Sequence, residues 1–198
     1  FDSEYVQQWT AFLSDERLRK VAAHNNLRIG FLPHPNIQPA LAQMALPPDV
    51  EALTFAGQDV QQLIADAALM VTDYSSMAFN AAYLDRPVVY FQFDAERMGE
   101  GAHVGRQGYF DYTDDGFGPV TDTVHRTVDE LVAILTTGDR RPAVEYQRRI
   151  DATFTQRDGR CCERTTAAIE DLTPYALPDG LVVRAVRRLM RPWRAGRS

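Results

Sequence analysis

Short apolar segments alternate with segments of helical periodicity between residues 27 and 91, and this alternation constrains the fold more than any other feature of the sequence. The apolar segments, which predict strands, cover residues 27–32, 50–55, 69–72 and 87–91. Residues 59–67 and 75–84 lie between them and have helical character. Because parallel neighbouring strands need a crossover connection, which is usually a helix, this order predicts an α/β fold with a doubly wound parallel sheet.

Further helices are predicted around this alternation. They cover residues 5–13, 15–26, 40–46, 127–136, 141–154 and 161–172. The segment Thr127-Val128-Asp129-Glu130 has the capping-box pattern and predicts the start of the helix at 127–136. Residues 92–119 are rich in glycine and aromatic residues and show no clear period, which indicates a functional loop.

Charge is distributed unevenly along the 198 residues. The formal net charge of −6 argues against a nucleic-acid partner, because such binding depends mainly on Lys and Arg. Residues 181–198 contain six arginines and no acidic residue, which leaves −12 for residues 1–180. As a helix, this basic amphipathic tail would have one apolar side and suit an anionic membrane surface. Alternatively, the apolar stripe docks on protein, and Pro192 would end or kink the helix.

The cysteines and the hydropathy pattern indicate the compartment. Cys161 and Cys162 are adjacent, which suits neither a disulfide framework nor a zinc site and favours a reducing, cytoplasmic compartment. No run of about eighteen apolar residues predicts a membrane span. The sequence starts with Phe1 inside a helical pattern and without a signal-like segment, so we expect a fragment of a longer protein that is neither spanning nor secreted.

In an open α/β sheet, ligands bind outside the carboxyl ends of the strands, so the loops after the predicted strands are the places to look for chemistry. Asp73-Tyr74-Ser75-Ser76 follows one strand and begins a helix, where free N–H groups and hydroxyls favour an anion such as phosphate. The alternative is that a serine merely caps the helix. Local sequence leaves both interpretations open.

His34 lies on a second such loop, between Pro33 and Pro35, whose fixed φ angles give the loop a defined direction. The imidazole could donate a hydrogen bond to phosphate or transfer a proton near neutral pH. A structural or solvated histidine is the alternative. Because both loops follow strands of one predicted sheet, the two motifs are expected to converge on one ligand.

One acidic segment raises the question of metal binding. The carboxylates of Asp114-Asp115-Gly116 could attract Mg²⁺, but Asp and Gly also favour turns in their own right. We therefore expect a turn at these residues, no metal site and no cofactor.

Several motifs in order resemble one family. The set consists of His34-Pro35, Met70-Val71-Thr72-Asp73-Tyr74-Ser75-Ser76, Asp85-Arg86-Pro87-Val88-Val89-Tyr90-Phe91, Gly108-Tyr109-Phe110-Asp111-Tyr112, Gly118-Pro119-Val120, and Asp158-Gly159 with Arg164. It resembles the CDP-glycerol glycerophosphotransferases, which polymerise teichoic acids and some capsules. The resemblance runs from Phe1 to Leu172.

The resemblance implies a Rossmann-like lobe of a GT-B type transferase, with extra C-terminal helices. This lobe, expected at residues 1–175 before the tail at 176–198, would be the C-terminal one, which holds the nucleotide of the CDP-linked donor. It also implies a transferase that moves polyol phosphate, with glycerol phosphate expected, to a hydroxyl of a cell-wall or capsule polymer and releases CMP. The enzyme would work at the cytoplasmic face of the membrane, and the base that deprotonates the acceptor would belong to an N-terminal lobe.

Residue roles follow from the same resemblance. The catalytic candidate is His34, the donor phosphate-binding candidates are Asp73, Ser75, Ser76 and Arg164, and the donor-loop candidates are Pro35, Tyr74 and Gly108. A guanidinium matches phosphate oxygens with two donors, but Arg164 could instead pair on a helix surface with Glu163 or Asp171.

Two other functions remain open on sequence grounds. A CMP-sugar glycosyltransferase of GT-B type, similar to sialyltransferases, would also use a His-Pro loop and a Ser-Ser turn. A non-catalytic nucleotide-binding or membrane-adaptor domain is the third hypothesis.

Overall fold

Helices and strands alternate along residues 3–95 and 110–172, the ranges described by the computed structural model. The elements are α1 Glu4–Ser14, α2 Glu16–His24, β1 Ile29–Phe31, β2 Val50–Ala52, α3 Val60–Asp66, β3 Met70–Thr72, α4 Met77–Tyr83, β4 Val88–Phe91, β5 Val120–Thr121, α5 Val124–Thr136, α6 Val144–Thr153 and α7 Cys161–Asp171. The chain divides into two compact units between Thr155 and Gln156, so that α7 belongs to the second unit. The predicted boundary at 175 stays a prediction, and the predicted tail lies outside the described residues.

Side chains at the helix starts explain several of these bounds. Asp15 ends α1 and caps α2, because its Oδ1 accepts the N–H groups of Arg17 at 2.8 Å and Leu18 at 3.3 Å. Asp59 caps α3 in the same way. These caps satisfy backbone N–H groups that have no partner inside the helix.

Several predicted helices have other bounds than the observed ones, as with the helix predicted at 141–154, which is Val144–Thr153. Two of the differences have a clear physical cause. The capping box at Thr127 was a wrong prediction, because α5 begins three residues earlier with Thr123 as its cap. Thr127 is fully buried inside that helix, where its hydroxyl donates to the carbonyl of Thr123 at 2.8 Å. The helix predicted at 40–46 is a 3-10 helix, Gln38–Gln43, and Pro39 in its first turn has no N–H to donate.

All strand pairs in the described ranges are parallel. β1 pairs with β2, and β3, β4 and β5 form a second ladder in that order. The two-residue strand β5 was not predicted, since two residues are too few to show a period. Parallel pairing, with α4 as the crossover helix between β3 and β4, confirms the predicted α/β class.

The residues of β4 show how the helices cover the sheet. Val89 and Phe91 pack into an apolar cluster with residues of α1 and α5, whereas Val88 and Tyr90 pack into another cluster with residues of α3 and α4. Side chains of a strand alternate between the two faces of its sheet, so helices lie on both faces of β4. This arrangement confirms the doubly wound sheet.

In the described ranges, no helix combines the length and the apolar character that crossing a membrane requires.

Gly118 lies where β4 and the segment before β5 approach closely. A Cβ placed on Gly118 would collide with the carbonyl oxygen of Val88 and would lie 2.6 Å from the carbonyl carbon. Because the obstacle is backbone in a fully buried strand, it cannot rotate away. Glycine is therefore required at this position by space.

Gly118→Ala is expected to lower the free energy of unfolding by about 3 kcal/mol or more, since β4 or β5 must shift. Gly57→Ala is the matched control, because its Cβ would meet its nearest neighbour, Thr54 Oγ1, at an ordinary 3.5 Å. We expect that control to change stability by less than about 0.5 kcal/mol. Denaturant unfolding measures the loss in free energy of unfolding for each variant. Equal losses would contradict the close approach of Gly118 to the backbone of Val88.

Candidate functional site

The turn Asp73-Tyr74-Ser75-Ser76 lies between the carboxyl end of β3 and the start of α4. Asp73 Oδ1 accepts the N–H of Tyr74 at 2.7 Å, and Ser75 Oγ accepts the N–H of Met77 at 3.2 Å. Ser75 is half-buried and Ser76 is exposed. Ser75 thus accepts the first N–H of α4, whereas Ser76, the N-cap residue, makes no side-chain capping bond. The bond to Met77 leaves the Ser75 hydroxyl free to donate its proton.

Several donors of this turn have no partner in the described part of the chain. The backbone N–H groups of Ser75 and Ser76 and the Ser76 hydroxyl donate to no acceptor there. Because α4 has only seven residues, these local donors matter more for an anion than the dipole of the helix does. The turn thus presents a small group of N–H and O–H donors at the sheet edge.

His34 follows β1 on a loop in which Pro33 is buried and Pro35 is exposed. The N–H of Asn36 donates to Nδ1 of His34 at 3.3 Å. Since Nδ1 accepts, a neutral His34 ring carries its proton on Nε2, which is thereby a donor. The charge of the ring acts on Asp73 and favours its ionised form. The two loops were expected to follow strands of one sheet, which is wrong, because β1 pairs with β2 and β3 belongs to the other ladder. Convergence of the two motifs on one ligand stays a prediction.

Asp73 is a carboxyl group in an unfavourable environment for its charge. Burial raises the pKa of Asp73 above its ordinary value, and the charge of Asp94 adds to this. The N–H of Tyr74 and the nearby His34 act in the opposite direction. Burial has the largest effect, so ionised Asp73 is destabilised in the folded chain.

Tyr74 is held by three hydrogen bonds, of which one is the N–H bond to Asp73. Its hydroxyl donates to Asp94 Oδ1 at 3.0 Å, and its carbonyl accepts the hydroxyl of Tyr112 at 3.0 Å. Burial, followed by the contact with Asp94, raises the pKa of Tyr74, so its hydroxyl stays protonated and donates. These bonds join the turn to the two segments that flank residues 96–109.

Asp94 and the contact made by Tyr112 were missed by sequence reasoning. Asp94 follows the carboxyl end of β4 by three residues, and this position was the signal that could have singled it out. Tyr112 was part of the family resemblance but had no assigned role. Its partner is 38 residues away in sequence, so no local pattern indicates the contact.

An open cavity of about 260 Å³ lies near the carboxyl ends of β4 and β5. Its lining includes Gln92, Asp122, Arg126 and Tyr146. The Gln92 amide nitrogen lies 3.5 Å from the carbonyl oxygen of Asp73, which connects the cavity to the turn.

Arg164 belongs to the second unit and is held there by Asp158. Its Nη1 donates to both oxygens of Asp158, at 2.8 and 2.9 Å. The suggested pairing with Glu163 or Asp171 was therefore wrong, because Glu163 pairs with Arg160 instead. Phosphate binding by Arg164 stays a prediction, and Gly108 lies outside the described residues.

The acidic segment that could have been a metal site forms a turn. Asp111 Oδ1 accepts the N–H groups of Thr113 at 2.8 Å and Asp114 at 3.0 Å, which closes the turn around Asp115. Residues 3–95 and 110–172 contain no group of three His, Cys, Asp or Glu side chains that could hold a metal ion.

Curated relatives of the chain act in teichoic acid synthesis. The minor teichoic acid biosynthesis protein GgaB of Bacillus subtilis (strain 168) is 33% identical over 171 residues, which cover 86% of this chain and 18% of that protein. The teichoic acid poly(glycerol phosphate) polymerase of the same strain is 28% identical over 58% of this chain and 15% of its own length. The teichoic acid glycerol-phosphate transferase of Staphylococcus aureus (strain NCTC 8325 / PS 47) is 28% identical over 54% of this chain and 27% of its own length.

Solved structures confirm the fold. The wall teichoic acid polymerase TagF superposes with a TM-score of 0.55 and 21% identity, over 91% of this chain and 39% of TagF. A TagF variant soaked with CDPG gives a TM-score of 0.51 and 20% identity, over 91% of this chain and 49% of the other. At this identity the likeness concerns the fold, and it supports a Rossmann-like lobe.

The family is shown by a match over nearly the whole described chain. The family model described as CDP-Glycerol:Poly(glycerophosphate) glycerophosphotransferase matches residues 2–171. The chain spans between 15% and 27% of the length of the three curated relatives above. The chain belongs to the CDP-glycerol:poly(glycerophosphate) glycerophosphotransferase family.

Proposed function

We propose that this chain is the donor-binding part of a glycerophosphotransferase. The enzyme transfers polyol phosphate, with glycerol phosphate as the expected group, from a CDP-linked donor to a hydroxyl of a growing cell-wall or capsule polymer and releases CMP. The observation that carries the proposal is the group of free donors at Ser75 and Ser76, in a chain that belongs to this family over residues 2–171. The GT-B arrangement, with this chain as the C-terminal lobe, is part of the proposal.

The donor's phosphates would bind at the turn after β3. The N–H groups and hydroxyls of Ser75 and Ser76 donate to phosphate oxygens, and such charge-assisted hydrogen bonds are stronger than neutral ones. In this proposal His34 adds the N–H of Nε2 from the loop after β1. Pro35 and Tyr74 shape the two loops, while Arg164 and Gly108 stay candidates on sequence grounds.

The transfer step is an in-line displacement at the phosphorus that carries the polyol. A bond forms between the acceptor oxygen and this phosphorus while the bond to the oxygen of CMP breaks, and the acceptor proton passes to a base. Catalysis of such a step depends mainly on positioning and on stabilising the charge of the phosphoryl group. In this proposal the present chain contributes the fixed donors, and another lobe contributes the acceptor site and the base.

The phosphate site is tested with the double variant Ser75→Ala/Ser76→Ala. Calorimetric titration with CDP-glycerol should show an affinity that is about 10- to 100-fold weaker than that of the unchanged chain, because two hydroxyl donors to a charged group are lost. Ser14→Ala, at the exposed end of α1, is the matched control and should bind as the unchanged chain does.

The same titration separates donor classes. A CMP-sugar in place of CDP-glycerol should bind more weakly, and tighter binding of the CMP-sugar would favour a glycosyltransferase. Unchanged CDP-glycerol affinity in the double variant would refute the assignment of the phosphate site.

Ionised Asp73 lowers the stability of the folded chain, and in this proposal its place at the ligand site explains why such a residue is present. Its carboxyl is half-buried, and its folded pKa lies above the unfolded value. The contribution of such a group to stability is fully present below the unfolded pKa and is lost as pH rises through the folded pKa. At neutral pH, ionised Asp73 therefore lowers the stability of the chain.

Asp73→Asn keeps an oxygen for the Tyr74 N–H and removes the charge. We expect the variant to be more stable than the unchanged chain at about pH 7, with a smaller advantage at about pH 4, where Asp73 is more protonated. Denaturant unfolding at both pH values measures the two differences. Asp114→Asn, on the exposed turn, is the control for a general charge effect, and an advantage independent of pH would contradict this account.

We also propose that the enzyme is cytoplasmic and peripheral on the membrane, held by residues 181–198. The support is the sequence, in which six arginines and no acidic residue accompany apolar residues. Each arginine near an anionic surface contributes about 1 kcal/mol to the free energy of membrane binding. A lipid-linked polymer acceptor would lie at the same surface.

Deletion of residues 181–198 should abolish co-sedimentation of the chain with anionic lipid vesicles. The unchanged chain should sediment with these vesicles, should not sediment with zwitterionic ones, and should be released by about 0.5 M NaCl because salt screens surface charges. A variant with the six arginines changed to glutamine tests the charge alone. Equal sedimentation of deleted and unchanged chains would remove the tail as an anchor.

A further inference from the structure

We propose that Tyr112 is a positioning residue for the donor site, because its hydroxyl fixes the peptide between Tyr74 and Ser75 and thereby aims the Ser75 N–H at the bound phosphate. This inference rests on the proposed function and adds a residue that acts through the backbone of the turn. Tyr112 touches no reacting atom in this proposal.

The direction of the Ser75 N–H follows from the geometry of the peptide. A trans peptide is planar, so the carbonyl of Tyr74 and the N–H of Ser75 point in opposite directions. The Tyr112 hydroxyl donates to that carbonyl at 3.0 Å and holds it on the side of Tyr112. The Ser75 N–H therefore points away from Tyr112, and it donates to no acceptor in the described residues.

The rest of Tyr74 is fixed as well. Its N–H donates to Asp73 at 2.7 Å and its hydroxyl donates to Asp94 at 3.0 Å. With the carbonyl bound to Tyr112, every polar group of Tyr74 has a partner. Rotation of the Tyr74–Ser75 peptide would break the bond to Tyr112, so this bond controls the plane of the peptide.

Tyr112 is itself held in place from several directions. Its ring packs edge-on against the rings of Tyr74, Tyr90 and Phe110, with centroid distances of 5.7, 5.1 and 5.3 Å. The turn that follows Tyr112 is braced by Arg149 of α6, whose Nη1 donates to the carbonyls of Thr113 at 2.8 Å and Gly116 at 3.0 Å. Because the ring is fixed in this way, its hydroxyl has a fixed position from which it holds the carbonyl of Tyr74.

The hydroxyl also stays a donor over the working range of pH. Burial raises the pKa of Tyr112, and the charge of Asp73 adds to the effect. The phenol therefore remains protonated where a free tyrosine would begin to ionise.

Tyr112→Phe removes this hydroxyl and keeps the ring. Tyr90→Phe is the matched control, since Tyr90 belongs to the same aromatic group and its hydroxyl accepts the N–H of Phe117 at 3.4 Å without contacting the turn. Calorimetric titration of the full 198-residue chain with CDP-glycerol should show an affinity about five- to tenfold weaker for Tyr112→Phe, the factor that one hydrogen bond commonly contributes, and an unchanged affinity for Tyr90→Phe. Equal losses in both variants, or no loss in Tyr112→Phe, would overturn the proposal.

A second measurement needs no ligand and separates this inference from the proposed function. In ¹H–¹⁵N spectra of the ligand-free chain, the Ser75 amide signal should shift in Tyr112→Phe and stay in place in Tyr90→Phe. If the unchanged chain binds no CDP-glycerol, the proposed function fails, and the Ser75 signal still decides whether Tyr112 orients the turn. An unmoved Ser75 signal in Tyr112→Phe would overturn the positioning role even where CDP-glycerol binds.

Discussion

The parallel pairing of β3 with the buried strand β4 is the constraint on which the candidate site depends. All four residues of β4 are at most 1% exposed, because helices cover both faces of the strand. Burial of each such side chain contributes about 1.5–3 kcal/mol, which fixes β4 firmly in the fold. The register that sets Thr72 opposite Tyr90 then makes both strands end at the same edge. Asp73 and Asp94 follow the strand ends at this edge, and Tyr74 donates a hydrogen bond to each of them.

Patterns of the backbone could be predicted from the sequence wherever they repeat over several residues. The strand that became β3 and the helix that became α5 are examples, although Thr123 and not Thr127 caps α5. Capping was assigned wrongly because the local pattern does not reveal that the Thr127 hydroxyl is buried against Thr121, at 2.7 Å. Two-residue β5 had no period to detect.

The loops of the candidate site could be located from the sequence. The hydrogen bonds that hold these loops in place could not. Position after a strand was enough to indicate the loops of His34 and Asp73, which do follow β1 and β3. These strands belong to different ladders, so convergence of the two loops on one ligand stays a prediction. The bonds from Tyr74 to Asp94 and Tyr112 span 20 and 38 residues. Contacts of this kind depend on how three loops pack together, and single-sequence periodicity contains no information about that packing.

The distribution of polar groups explains why two carboxylates lie at a site proposed for an anion. Asp73 and Asp94 each accept a hydrogen bond from Tyr74, one from its N–H and one from its hydroxyl. Their charge disfavours phosphate, but they fix the residue that precedes Ser75. Hydrogen-bond donors that are fixed before the ligand binds need no reorganisation when charge develops on the ligand. Their stabilising effect is larger where water is excluded. The electrostatic cost of Asp73 is thus coupled to the rigidity of the turn that presents the Ser75 and Ser76 N–H groups.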